Sequence, residues 1–260
     1  MTAATRTAAT FELVEDAGTG PLVAALAYSG GSGRALEFLR DHLPAGCGLA
    51  VGDLPGHGRR LGEPCLREVD AVEDALADAL PPVEPRRLIL LGYSLGGLLA
   101  YDLALRLAAA GTPPAGLVIC GSRGPQTGVG RPPVIQLPRE HFVEAAVEMG
   151  LAAPEMLEVP ELAATFADVL HADLCLVDGM RYRPGPPMDV PACVIGFGAD
   201  WLVPEPALRA WDEVLRGRPL HLRIAGGHLA VHEHAREFGA AVRTGVEHVL
   251  AHRDDQEGDQ

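Results

Sequence analysis

The chain has 260 residues, 48% of them hydrophobic, and a formal net charge of −14. That length suits one α/β unit with a large buried core, and the acidic balance argues against nucleic acid or an anionic membrane as a partner. There is no lysine, so all 21 basic residues are arginine; Schiff-base chemistry, a pyridoxal-phosphate anchor and a P-loop lysine are excluded. Hydroxyl, imidazole and carboxylate groups remain for any covalent mechanism. The five cysteines contain no C-x-x-C pair, and their odd number argues against a disulfide framework; most lie in apolar surroundings and read as buried packing residues rather than reactive thiols. Met1 to Thr10 is small and polar with no apolar signal core, and no run approaches the length of a membrane span. A soluble cytoplasmic protein is the expectation.

In chain order, Phe11 to Val14 reads as a short edge strand and Pro21 to Ala27 as a buried one. The latter runs into Tyr28-Ser29-Gly30-Gly31-Ser32-Gly33. As a phosphate cradle this loop lacks G-x-G-x-x-G spacing and any lysine; as a loop after an early strand it can aim a backbone N–H at a developing oxyanion. A helix is expected over Arg34 to Leu43 and a strand over Leu49 to Asp53. In the following Leu54 to Arg60 loop, His57 has no carboxylate beside it in sequence and reads as a solvated loop histidine. Val69 to Leu80 carries a helical pattern that Pro81-Pro82 ends. Leu88 to Leu91 is an apolar strand followed at once by a helical pattern, and Gly116 to Gly121 is the next strand. Strand and helix alternate to this point, which predicts parallel strands with helical crossovers on both faces.

After Gly121 the rhythm breaks. Ser122 to Pro138 is rich in Gly, Pro and Arg, and three helix candidates follow: Pro138 to Met149, Pro154 to Leu157 and Pro160 to Met180. Residues 122–188 therefore read as a helical lid inserted into a core made of 11–121 and 189–252, the alternative being ordinary helical packing on one sheet face. Pro191 to Gly196 resumes the sheet, Glu205 to Arg216 is helical, Leu220 to Ile224 is the last strand, and His232 to His252 is the closing helix. Flexible tails are expected at 1–10 and 253–260.

Gly92-Tyr93-Ser94-Leu95-Gly96 is a G-x-S-x-G turn between strand and helix, the setting of a nucleophile elbow. The turn is sharp, so small residues must flank the serine. An activated serine needs a base, and the base needs a carboxylate to fix its tautomer. Ser94, Asp200 and His228 each follow a predicted strand, in the order Ser, Asp, His of the α/β-hydrolase arrangement. Asp173 and Asp178 fall in or near the lid helix and read as surface charges. The run His228, His232, Glu233, His234 invites a metal reading, but no second carboxylate cluster supports one and no metal is expected. In the resulting mechanism Ser94 attacks a carbonyl, His228 shuttles the proton, Asp200 orients the imidazole, and the N–H groups of Leu95 and Ser29 hold the oxyanion.

With these residues in view, the chain resembles the stand-alone (type II) thioesterases of polyketide and nonribosomal peptide assembly lines from about Leu22 to Leu250. The resemblance lies in Ala27-Tyr28-Ser29-Gly30-Gly31, Gly92-Tyr93-Ser94-Leu95-Gly96, Gly198-Ala199-Asp200-Trp201-Leu202-Val203, Gly226-Gly227-His228 and the lid stretch Ala172-Asp173-Leu174-Cys175-Leu176-Val177. Departures are Ala27 for the family proline, Ser29 for its alanine, Tyr93 for the histidine before the nucleophile, Leu95 for the methionine, and Pro55-Gly56-His57-Gly58 for P-G-R. The resemblance implies hydrolysis of acyl groups from the phosphopantetheine arm of an acyl or peptidyl carrier protein, bound transiently by a monomer without a cofactor of its own. Arg123, Arg131, Arg139, Arg181 and Arg183 either form a basic docking face for that partner or are scattered solubilising charges. Other readings are a carboxylester or amide hydrolase, an acyltransferase or cyclase acting on a small molecule, and a non-catalytic binding protein of the same fold.

Overall fold

The computed structural model describes residues 10–128, 133–152 and 154–253. Seven strands form one sheet in the order β1-β3-β2-β4-β5-β6-β7. They are β1 (Thr10–Glu15), β2 (Leu22–Leu26), β3 (Gly48–Asp53), β4 (Leu88–Tyr93), β5 (Gly116–Cys120), β6 (Ala192–Phe197) and β7 (Leu220–Ile224). Only β1 runs antiparallel, along β3; every other pairing is parallel. This is the α/β-hydrolase fold, as the alternation of elements and the order of the site residues lead one to expect.

The central strands are buried on both faces, which is why they read as unbroken apolar runs rather than alternating ones. One face buries Ala24, Leu90, Ile119 and Val194 beneath α1 (Val69–Ala79), α2 (Leu95–Ala109), α5 (Glu205–Arg209) and α6 (Trp211–Val214). The other buries Val23, Leu91, Val118 and Ile195 against α7 (Ala230–Glu233), α8 (Ala235–Arg253) and the turn Gly33–Asp41. Between β5 and β6 lie α3 (Arg139–Glu148) and α4 (Pro160–Gly179). These pack on each other through Phe142, Ala146, Ala167, Leu170 and Leu174, a small core separate from the two faces of the sheet.

Several local expectations are corrected. The helix expected at Arg34 to Leu43 is a 3₁₀ helix, Gly33–Asp41, whose three-residue turn stacks Gly33, Leu36 and Leu39 on one buried side. The helix expected at Glu205 to Arg216 is two short ones meeting at Ala210, and the closing helix is interrupted at His234. Thr10 is not part of a tail but pairs with Asp53, and Arg253 closes α8, where a cation suits the helix dipole. The remainder of both expected tails lies outside the described residues, as does Arg131. All five cysteines are free; Cys47, Cys120 and Cys193 are buried.

Candidate active site

The site begins where β4 hands over to α2. Ser94 occupies that corner at φ 54°, ψ −114°, a left-handed conformation for a non-glycine residue that costs on the order of 1–3 kcal/mol and is held by its surroundings. The two flanking glycines are demanded by contact. A Cβ on Gly92 would stand 2.1 Å from the Gly96 carbonyl oxygen, and one on Gly96 would stand 2.3 Å from that of Leu26. The Ser94 N–H donates to Cys120 O at 2.8 Å and the Gly96 N–H to Ala27 O at 3.1 Å, which ties the elbow to β5 and β2. The N–H groups of Leu95 and Ser29 have no backbone acceptor among the described residues. Both residues line the same cavity as Ser94 and His228.

The structure brings Ser94, His228 and Asp200 together. His228 Nε2 lies 2.9 Å from Ser94 Oγ, and His228 Nδ1 lies 2.8 Å from Asp200 Oδ2. Asp200 and His228 are each only 8% exposed. The other oxygen of Asp200 accepts the N–H groups of Leu202 (2.9 Å) and Val203 (3.2 Å), so the loop after β6 fixes the plane of the carboxylate. With an ionised Asp200 accepting from Nδ1–H, Nε2 is left as the acceptor facing the serine hydroxyl. The arrangement can therefore withdraw a proton from Ser94 as its oxygen attacks.

Tyr93, the residue before Ser94, has a role that the sequence reading did not assign. Its hydroxyl donates to the carbonyl of His228 at 2.6 Å, and its ring stacks on Phe197 with centroids 5.3 Å apart. Burial pushes this phenol well above its ordinary pKa, so it remains a donor at any physiological pH. One side chain thus pins the histidine loop to the elbow. An aromatic inside G-x-S-x-G is the only signal the sequence offers for this.

Ser94 opens onto a cavity of about 340 Å³ whose wall is mostly apolar, including Leu98, Met149, Leu151, Leu174, Val177 and Val203. Trp201, at the rim, is 62% exposed. Arg123 also lines it, with its guanidinium donating to the carbonyls of Leu202 (2.6 Å) and Gly128 (3.1 Å); burial lowers its pKa and the Asp200 charge works against that. Arg181 donates to the carbonyls of Asp178 and Met180, and Arg183 pairs with Asp70 and Glu73. These three arginines are thus engaged within the chain.

Two residues read from sequence as solvated are not. His57 is 6% exposed and Asp173 is 1% exposed, and they meet at 2.9 Å across 116 positions of sequence. A carboxylate on α4 supplies the partner that is missing from the local sequence of the β3 loop. Among the described residues no group of three or more His, Cys, Asp and Glu side chains is arranged to hold a metal ion, and no helix is long and apolar enough to cross a membrane.

Comparison with known proteins identifies the family. The family model for the thioesterase domain matches residues 22–244. The AMB antimetabolite synthetase AmbE of Pseudomonas aeruginosa is 33% identical over 226 residues, which is 84% of this chain; the chain spans only 10% of AmbE. The gramicidin S biosynthesis protein GrsT of Aneurinibacillus migulanus is 23% identical over 81% of this chain and 83% of its own length. Among solved structures, the RedJ thioesterase of the prodiginine pathway in Streptomyces coelicolor superposes with a TM-score of 0.78 at 25% identity, covering 87% of this chain and 92% of RedJ. The type II thioesterase BorB of the borrelidin cluster gives 0.79 at 24% identity, over 96% and 100% of the two chains. With the elbow, the order of its partners and the family match in agreement, the chain belongs to the thioesterase family of the α/β-hydrolase fold.

Proposed function

We propose that the protein is a serine thioesterase that hydrolyses acyl groups from the phosphopantetheine arm of acyl or peptidyl carrier proteins in polyketide or nonribosomal peptide biosynthesis. The observation that carries this reading is the hydrogen-bonded series Asp200–His228–Ser94 at the mouth of an apolar chamber. The names of GrsT, RedJ and BorB, which assign them to gramicidin S, prodiginine and borrelidin biosynthesis, support a biosynthetic pathway of this kind. Ser94 Oγ attacks the thioester carbonyl while His228 Nε2 takes its proton. The tetrahedral oxyanion sits between the N–H groups of Leu95 and Ser29. Collapse expels the thiolate, and His228 returns the proton to it. Water, deprotonated by His228, then releases the acyl group from Ser94.

A thiol of pKa about 8.5 leaves far more readily than an alcohol. Oxyanion stabilisation and access for a long arm therefore govern the rate more than protonation of the leaving group. Residues 122–188 serve as a lid: Met149, just past the end of α3, and Leu174 and Val177 of α4 line the chamber, and the acyl chain lies against them. The test compares acyl-pantetheine thioesters with the matched oxygen esters, free and on a carrier protein. Preferential thioester hydrolysis is expected; a clear preference for oxygen esters would reject the reading.

A further inference from the structure

Beside the loop that carries Ser29 lies a second carboxylate–imidazole pair that the reaction above does not use. Asp173 Oδ2 accepts the Gly30 N–H at 2.7 Å and lies 2.9 Å from His57 Nε2. The other ring nitrogen of His57 lies 3.1 Å from Pro55 O. Both nitrogens face acceptors, and only the imidazolium donates from both. The groups around the ring agree. Asp173 faces it from α4, Asp53 from β3 and the Pro55 carbonyl from its own loop. Burial works against the charge, yet together these groups raise the His57 pKa. The neighbouring thiol, Cys65, is held neutral by burial and by Asp173.

The pair fixes a particular peptide. Tyr28 to Gly31 is a turn closed by the Gly31 N–H on Tyr28 O at 2.8 Å, with Gly30 at φ 76°, the glycine-requiring third position of a type II turn. Asp173 thus holds the Ser29–Gly30 peptide, next to the N–H assigned to the oxyanion. The same face of α4 presents Phe166 and Leu170 at helical spacing. A Cβ on Gly30 would stand 2.7 Å from Phe166 Cε2 and 3.5 Å from Leu170 Cδ1. Three residues of α4 therefore seat on the oxyanion loop, two by packing and one, Asp173, by accepting the Gly30 N–H while it pairs with His57 of the β3 loop.

We propose that Asp173 is a positioning residue for thioester hydrolysis: paired with His57 it clamps the Ser29–Gly30 peptide, so that the oxyanion hole is complete only while α4 is seated. This rests on the serine thioesterase reading. Lifting α4 to admit an acyl arm withdraws the acceptor of the Gly30 N–H, and reseating restores it, which links lid closure to the chemical step. Because the His57 pKa is raised in the fold, the pair is intact below it and is lost as pH rises through it, leaving a buried, unpaired carboxylate.

The test uses Asp173→Ala, which removes the acceptor, and Asp173→Asn, which keeps an oxygen there without the charge. Loss of one oxyanion donor costs about 100- to 1,000-fold in kcat, and a misplaced donor is expected to cost about 10- to 100-fold. Asp173→Ala should show that loss with KM changed less than about twofold, and Asp173→Asn should recover most of it. If the alanine variant does not fold, His57→Gln replaces it, keeping a donor toward Asp173 but no charge; it should lower kcat and abolish the fall in kcat expected of the wild type as the pair is lost at high pH. Two readouts need no thioester. Labelling of Ser94 by a fluorophosphonate, whose phosphoryl oxygen enters the same hole, should slow in parallel with kcat. The ¹⁵N shifts of the wild-type His57 ring should report both nitrogens protonated at pH 7. Equal labelling rates for wild type and Asp173→Ala, or a neutral His57 at pH 7, would overturn the proposal. A wild-type protein that labels normally yet hydrolyses no thioester would overturn the functional reading alone.

Discussion

Replacing Asp200 by asparagine should disable the protein while leaving its shape intact, and the reason can be worked from four contacts. One Asp200 oxygen accepts the N–H groups of Leu202 and Val203; the other faces His228 Nδ1 at 2.8 Å. An asparagine amide pointed with its NH₂ at the loop would set a donor against two donors. The loop therefore orients the carbonyl toward Leu202 and Val203 and the NH₂ toward His228. Facing a donor, Nδ1 must become an acceptor, and the ring proton moves to Nε2, 2.9 Å from Ser94 Oγ. The base then presents a hydrogen where it needs a lone pair. In serine hydrolases this tautomer error costs about 10⁴ in kcat, or about 5.5 kcal/mol of activation free energy. The assay is thiol release from an acyl-pantetheine substrate between pH 6 and 9, beside thermal melting. A kcat within tenfold of wild type, in a variant that melts normally, would refute the assigned role of Asp200.

Other consequences can be tested in parallel. Gly92→Ala would drive a Cβ to 2.1 Å from the Gly96 carbonyl oxygen, and such overpacking should cost at least about 1–3 kcal/mol in urea denaturation. Val177→Phe should shorten the acyl chamber; across a series of acyl-pantetheines, kcat/KM for the longest chain should fall about 10-fold or more while the shortest is spared. Asp102, on α2, has its carboxyl lifted by burial, and next by the charge of Glu73, to about 7, against an ordinary value of about 3.9. The folded state thus holds a proton that the unfolded chain has lost, and stability falls as pH rises between those values. Asp102→Asn should accordingly raise the melting temperature at pH 8 and change it little at pH 4.

Much of this was legible in the sequence because the elements concerned are locally determined. An unbroken apolar run as short as Leu88–Leu91, stopped by a glycine, reads as a buried central strand, and G-x-S-x-G between such a strand and a helical pattern reads as an elbow. Asp200 and His228 stood out because each follows a strand, and parallel strands bring their carboxyl ends to one rim. What stayed hidden depends on long-range pairing. His57 lacks a carboxylate nearby in sequence, yet meets one 116 residues away, on α4. Asp173 sits in an apolar helix at a position that reads as solvent-facing until the oxyanion loop is laid against it. Tyr93 showed in the sequence only as a departure from the family histidine before the nucleophile, because its use depends on where the His228 carbonyl falls. The arginines that suggested a basic face showed the opposite weakness. Composition counts charges but not their partners, and Arg123, Arg181 and Arg183 are engaged by carbonyls and carboxylates of the same chain.

The central claim is that Ser94 becomes acylated and that water then releases the acyl group. Rapid-quench intact-mass analysis of the protein mixed with an acyl-pantetheine thioester addresses it most directly, with Ser94→Ala alongside. The wild type should carry one acyl group on the peptide containing Ser94 during turnover. The variant should carry none and retain only about 10³- to 10⁴-fold catalysis over water. Turnover of Ser94→Ala near the wild-type rate, or an acyl group found on any other residue, would contradict the account.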